Sequence, residues 1–385
     1  MRGGFPPSVR VRGFPASVGS GSLTDGGTVT ISGTGWGTNP ATQEFLGGSG
    51  GHLDSATPGA DFSKSGWTPV SGIYVPRYST TQTLTRSRSL AFDAAFNKAT
   101  NPNNSAAFGV GWDVGSGVSQ VMWTSYIYYG VNTSVNLTQS QQKFYRLMPT
   151  VDVTDTQPQR YLTHWRGAGG EGDGDAFVNP NNGGGVGSGY SATGTVYLHP
   201  TNGPNASRHP DSWPNNNTNE WYHVRLWHKL ESSVGAVDGE FKLYVTRVSD
   251  GAVMMDDLDF GVRDYIDATR VRYWIMQHYF GNAVPQAVPG GSADNTTTFE
   301  TPADGYCYED DCYLAYGSDA QKFLLVGNAS TYAACTKFAT QPWSSWSNTS
   351  ITFNLNKGPH ASLSGLYAYP MQSIKTPFST SGIAI

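Results

Sequence analysis

The run NEWYHVRLWHKLESSVGAVDGEFKLYVTRVSDGAVMMDDLDF (219–260) decides the fold class, because its polarity repeats every two residues. Tyr222, Val224 and Leu226 fall on one face, with Trp221, His223, Arg225 and Trp227 on the other. After the Val237-Asp238-Gly239-Glu240 turn, Phe241, Leu243 and Val245 alternate with Lys242, Tyr244 and Thr246. A period of two on both sides of an Asp-Gly turn predicts antiparallel strands. VMWTSYIYYG (121–130) is apolar or aromatic at nearly every position and predicts a strand buried on both faces. In VRYWIMQHYF (271–280), Val271 and Ile275 read as one face and Arg272, Trp274, Met276 and His278 as the other. Strands with one aliphatic face and one rich in Trp, His, Arg and Tyr suit a two-sheet sandwich whose outer surface carries function.

Composition agrees with an all-β reading. The 385 residues include 47 Gly and 22 Pro, and only 14% are charged, against about 25% in an average soluble protein. Long surface helices need Glu, Lys, Arg and Ala on their solvent faces, so the chain cannot be built mainly from them. An aromatic content of 13% excludes wholesale disorder. The net charge of −5, with no basic block, argues against nucleic acid or an anionic membrane as partner. The opening MRGGFPPSVRVRGFPASVG has the positive charge of an export signal but no apolar core, so export by that route is not expected. Three cysteines make no disulfide scaffold. The spacing in CYEDDC (307–312) puts its two thiols on opposite faces of an extended strand, and free thiols are the expectation.

Two resemblances refine this. The opening LTDGGTVTISGTGWGT (23–38) is similar to the first hairpin of the Ig-like IPT/TIG family, with Trp36 where that family has Phe. Its later strands resemble WSNTSITFNLNKG (346–358) and LSGLYAYPMQ (363–372). The resemblance implies an arm over 1–17, a discontinuous Ig-like domain over 18–45 and 318–385, and an inserted domain over 46–317. The inserted domain resembles the concanavalin A-like jelly roll of lectins, glucanases and polysaccharide lyases. The matching elements are the Trp-led strand at 221, the VDGE turn, Ser249-Asp250-Gly251, and the closing Tyr279-Phe280-Gly281-Asn282.

Sugar recognition needs flat aromatic faces and planar polar partners. Trp221, His223, Arg225, Trp227, Tyr244, Arg272 and Trp274 supply that inventory and are the carbohydrate-binding candidates. The competing reading is that this face packs under a loop, another subunit or the Ig-like domain. If the chain were a lyase, His278 and Tyr279 would be candidate bases, with Gln277 and Arg225 neutralising a uronate carboxylate. The lyase motifs of this fold are incomplete here. The acidic clusters Asp256-Asp257-Leu258-Asp259 and Glu309-Asp310-Asp311 lack the alternation of a glucanase site. Glu171, Asp173 and Asp175 alternate with Gly in chemistry compatible with calcium, but they lack the bidentate Glu of an EF-hand loop and an exposed flexible loop is the favoured reading; otherwise no cofactor is implied. The functional expectation is a non-enzymatic virion surface protein of a bacteriophage, a capsid decoration or tail-associated component with a glycan ligand. It would partner other virion proteins or its own copies. The alternative is a secreted polysaccharide lyase or glycoside hydrolase.

Overall fold

The computed structural model describes residues 17–21, 23–49, 51–71, 74–93, 106–129, 141–148, 151, 160–165, 175–179, 219–230, 232, 239–255, 260–262, 272–280 and 306–385. Their regular structure is almost wholly antiparallel β, in four sheets. The larger sandwich is a jelly roll. Its six-stranded sheet centres on Ala106–Asp113, Gln141–Met148 and Tyr273–Phe280, and its nine-stranded sheet on Gln120–Tyr129, Glu220–Lys229 and Tyr306–Tyr316. The chain crosses between these sheets repeatedly, so that late strands lie beside early ones: Tyr306–Tyr316 pairs with Ser89–Asp93 and Gln120–Tyr129. Between the sheets lies one core containing Trp123, Ile127, Tyr145, Tyr222, Val224, Leu226, Leu243, Val245, Trp274 and Met276.

The smaller sandwich is discontinuous. Thr28–Ser32 pairs with Ser350–Asn354, setting Val29 opposite Phe353 and Ile31 opposite Ile351. These four side chains are fully buried with Leu324, Val326 and Trp346 between two four-stranded sheets. Each such aliphatic side chain removed from water contributes about 1.5–3 kcal/mol. Trp36 closes this core over Gly33, where a Cβ would lie 2.3 Å from the indole ring. Only glycine fits there. The expected boundary at residue 45 falls inside the larger sandwich, because Thr42–Phe45 pairs with Tyr313–Tyr316 of the nine-stranded sheet.

The two sandwiches are stacked. The strand Phe323–Gly327 is buried at every residue because both of its faces are covered. Leu324 and Val326 face the small core, while Phe323 and Leu325 pack with Met122, Trp227, Tyr313 and Ala315 of the nine-stranded sheet.

Two parity expectations are overturned. In Tyr273–Phe280, Trp274, Met276 and His278 face the jelly-roll core, and Ile275 lies on the other side against Val70 and Tyr273. The sandwich interior, not an outer groove, takes the aromatic and His face of this strand. In Tyr306–Tyr316 the register shifts between Asp310 and Tyr313, where Asp311 adopts φ 47°. That bulge inserts one residue and reverses the alternation. Cys307 and Cys312 therefore both enter the same core, and both thiols are free.

Candidate functional site

The outer face of the nine-stranded sheet carries most of the sugar-binding candidates, in register rows. The first row is Ala91, Tyr308, Tyr128 and Trp221. The second is Asp310, Tyr126, His223 and Thr246. The third is Tyr313, Thr124, Arg225 and Tyr244, and the fourth Ala315, Met122, Trp227 and Lys242. The structure brings these residues together as one surface, then covers three of its four rows with the small sandwich.

The covering contacts are specific. Tyr126 donates its hydroxyl proton to the carbonyl of Phe338, and Thr124 Oγ1 meets Thr340 Oγ1 at 2.9 Å. His223 stacks on Tyr126, its Nε2 3.4 Å from Thr340 Oγ1. Burial, and then the neighbouring Arg225 charge, push the His223 pKa well below the usual imidazole value, so it is neutral at physiological pH. Arg225 is fully buried and donates from Nη1 to Tyr332 Oη and the carbonyl of Ile374, both at 2.8 Å. Trp227 is buried and donates from Nε1 to Gln120 Oε1 at 3.2 Å. His223, Arg225 and Trp227 therefore form an internal junction rather than an open sugar groove. The physical reason is that a Trp, His and Arg face offers as much apolar area and as many directed donors to a packed sheet as to a pyranose ring.

The remaining candidates separate. Trp221 is half-buried, 5.4 Å from the Tyr128 ring, in a cluster with Tyr308 and Ala91. Tyr128, Tyr308 and Ala91 are themselves buried, so Trp221 alone of this row is partly open. Tyr244 is half-buried with its ring 4.6 Å from the Arg225 guanidinium carbon. Arg272 is exposed and binds Asp113 in a bidentate fork, Nε to Oδ1 at 3.2 Å and Nη2 to Oδ2 at 2.6 Å. Trp274 is buried in the jelly-roll core, stacked on Tyr145.

The lyase set is also split. His278 is sealed in the core, with its Nε2 2.5 Å from Glu309 Oε1 and its ring 4.3 Å from that of Phe92. Glu309 is fully buried and also accepts hydrogen bonds from Tyr145 Oη at 3.5 Å and Cys312 Sγ at 3.4 Å. Burial, then the Glu309 charge, push both Cys307 and Cys312 well above the ordinary thiol value, leaving them protonated and inert. A base sealed in this way cannot reach a polymer, so the structure corrects His278 from candidate catalyst to core pair. Gln277 and Tyr279 pair in register with Gly109 and Ala107. The side chains of Gln277 and Tyr279 lie outside the described residues, as do Glu171, Asp173 and the side chain of Asp175, the calcium candidates. Among the described residues no group of three or more His, Cys, Asp or Glu is arranged to hold a metal ion.

A second polar centre was not foreseen as a site. At the bulge, Asp310 accepts backbone N–H bonds from Leu84 and Thr85, both 2.9 Å, and the Thr85 hydroxyl at 2.8 Å. Asp311 accepts from Asn356 Nδ2 at 2.7 Å and lies 3.7 Å from Arg86 Nε. Arg86 also pairs with Asp25 and Asn356, and Asp25 accepts from the backbone N–H of Lys357 at 2.9 Å. Four distant segments meet here. Burial, reinforced by Asp310, raises the Asp311 pKa to about 7, while Arg86 and Asn356 pull it down. The sequence signal was the acidic triplet 309–311; its burial could not be read without the bulge.

No protein-family model matches the chain, and no curated protein matches it. Solved structures similar to it include lectin II from Ulex europaeus, at 7% identity and a TM-score of 0.37, covering 73% of this chain and 99% of the lectin. Alginate lyase vAL-1 from Chlorella virus matches at 10% identity and a TM-score of 0.35, over 67% of this chain and 99% of that one. The catalytic domain of a glycoside hydrolase family 131 protein from Coprinopsis cinerea matches at 9% and 0.33, over 71% and 93%. The likeness lies in the β architecture alone.

Proposed function

We propose that the chain is a non-catalytic surface component of a particle, a capsid decoration or tail-associated protein of a bacteriophage, whose jelly roll holds a glycan. The observation that carries the glycan reading is the Trp221 ledge, a half-buried ring packed against Tyr128, Tyr308 and Ala91, which are themselves buried. The partly open Trp221 ring offers an apolar face of the kind that pyranoses stack on, and exposed Asn219 beside Tyr128 supplies a planar amide. The small Ig-like sandwich, welded to the jelly roll over three rows of side chains, serves as the mount. The described histidines, thiols and carboxylates best placed for chemistry are instead spent on packing.

The test is tryptophan fluorescence of the purified chain across a panel of neutral and acidic glycans, with Trp221→Ala as control. Quenching that disappears in the variant supports the ledge; equal quenching in both sinks it. Copurification of the native chain in a symmetric assembly tests the particle role, and a monomer absent from any particle removes it. The lyase reading retains one specific observation, that Gln277 and Tyr279 pair in register with the small residues Gly109 and Ala107. Ultraviolet absorbance of unsaturated uronate, released in a way that depends on Tyr279, would replace the non-catalytic reading.

A further inference from the structure

Three consecutive residues stand where the strand Glu220–Lys229 begins: Asn219 is exposed, and Glu220 and Trp221 are half-buried. Asn219 adopts φ 63°, a left-handed conformation that Asn tolerates better than most residues, and its Oδ1 accepts the Tyr128 hydroxyl proton at 3.0 Å. That bond fixes the amide and spends its acceptor. What Asn219 offers to solvent is therefore a donor, Nδ2, which has no acceptor among the described residues. Glu220 offers the converse, a carboxylate that makes no hydrogen bond or ion pair with another described residue. Its charge reaches the ledge, because after burial it is the Glu220 charge that raises the Tyr128 hydroxyl above the ordinary tyrosine value.

The cations that would welcome an acidic ligand are committed or distant. Arg247 grips Asp250 in a fork, Nε to Oδ1 at 3.0 Å and Nη2 to Oδ2 at 2.6 Å, and these bonds hold the Asp250 carboxyl down at about 2. Beyond Ala91 the next strand brings Arg77, which is paired with Asp61. Four strand spacings of about 4.8 Å put Arg77 about 19 Å from Trp221. Salt screens exposed charges beyond about 8 Å, so Arg77 is not felt at Trp221. The ionised groups that act on Tyr128, Tyr222 and Arg247 at this end of the sheet are Glu220, Asp250 and Arg247. With Arg247 and Asp250 cancelling, Glu220 leaves the ledge with a net negative charge.

Resting on the ledge reading above, we propose that the glycan held at Trp221 is neutral, and that Glu220 is the residue that excludes uronates and other acidic sugars. A sugar hydroxyl can accept from Asn219 Nδ2 and still has a proton to give, which a negative surface favours. A sugar carboxylate has no proton to give and meets a like charge. The ledge is open to solvent, so the repulsion is a screened one, about three- to tenfold in Kd at low salt.

Titration calorimetry of the full chain with matched oligosaccharide pairs tests this: mannan against mannuronan, galactan against galacturonan, and glucan against its C6-oxidised form. The wild-type chain binds the neutral member of a pair about three- to tenfold more tightly at low salt, and the gap narrows as sodium chloride is added. Glu220→Gln removes the charge without removing a hydrogen bond; it narrows the gap by strengthening the acidic member, and Glu220→Lys reverses the preference. A wild-type chain that prefers the acidic member, or a gap that neither salt nor Glu220→Gln changes, overturns the proposal while the ledge stands. If no pair binds, or Trp221→Ala leaves all binding untouched, the ledge reading falls and the neutral preference with it. The wild-type comparison and its salt dependence decide even where a variant fails to fold.

Discussion

Replacing Asp311 with Asn gives a sharp test of the bulge network. In the folded chain its pKa is raised to about 7, chiefly by burial and then by Asp310, against about 3.9 for an exposed aspartate. Between those values the folded chain keeps a proton that the unfolded chain has released. The stabilisation is therefore fully present below about pH 4 and is lost as pH rises through about 7. A difference of about three pH units, at about 1.4 kcal/mol each, makes this on the order of 4 kcal/mol. Asparagine is uncharged, tolerates the φ of 47° at this position, and retains an oxygen for the Asn356 amide. In Asp311→Asn this slope vanishes, and the variant is at least as stable as the wild type above pH 7. Urea unfolding followed by tryptophan fluorescence, in steps from pH 4 to pH 8, reads the difference between the two chains; Asp310 is present in both. Arg86→Met extends the test, because without the guanidinium that holds Asp311 down the loss of stability continues to higher pH than in the wild type. Parallel pH curves for wild type and Asp311→Asn would refute the reasoning.

Other outcomes follow from single contacts. Gly47→Ala places a Cβ 1.9 Å from Asp311 Oδ1 and 2.9 Å from its Cα, so overpacking should cost about 1–3 kcal/mol or more, read as a lower urea midpoint. Glu309→Ala strips the acceptor from His278, Tyr145 and Cys312 in a sealed core and should cost about 3–5 kcal/mol, visible as loss of near-ultraviolet circular dichroism; a native spectrum and midpoint would contradict the buried pair. With a thiol reagent the native chain should react at half-buried Cys335, while Cys307 and Cys312 react only on unfolding; prompt modification of all three would show that the core is open.

The period-two patterns carried the strand content and much of the jelly-roll core. Tyr222, Val224 and Leu226, written as the apolar face of 220–229, are all buried between the sheets. VMWTSYIYYG proved to be a central strand covered on both faces, with Val121 to Tyr128 all buried. Alternation alone fails at a bulge, however, because one inserted residue sends every later side chain to the other face. That is why the thiols of CYEDDC were placed on opposite sides when both enter one core. It fails differently at 271–280, where the two faces are of similar bulk and the one read as outward is the one that enters the core, His278 meeting Glu309 there.

By itself the sequence determined that this chain is β, which residues alternate, and that one strand carries an unusual face of Trp, His and Arg. What that face meets was decided only by the tertiary structure. Aromatic rings and directed donors serve a sugar and a packed sheet by the same physics, burial of flat apolar area with polar edges satisfied. Local pattern therefore cannot tell a groove from a junction. Pairing of Thr28–Ser32 with Ser350–Asn354 builds the small sandwich that covers His223, Arg225 and Trp227 and leaves the Trp221 ledge outside it.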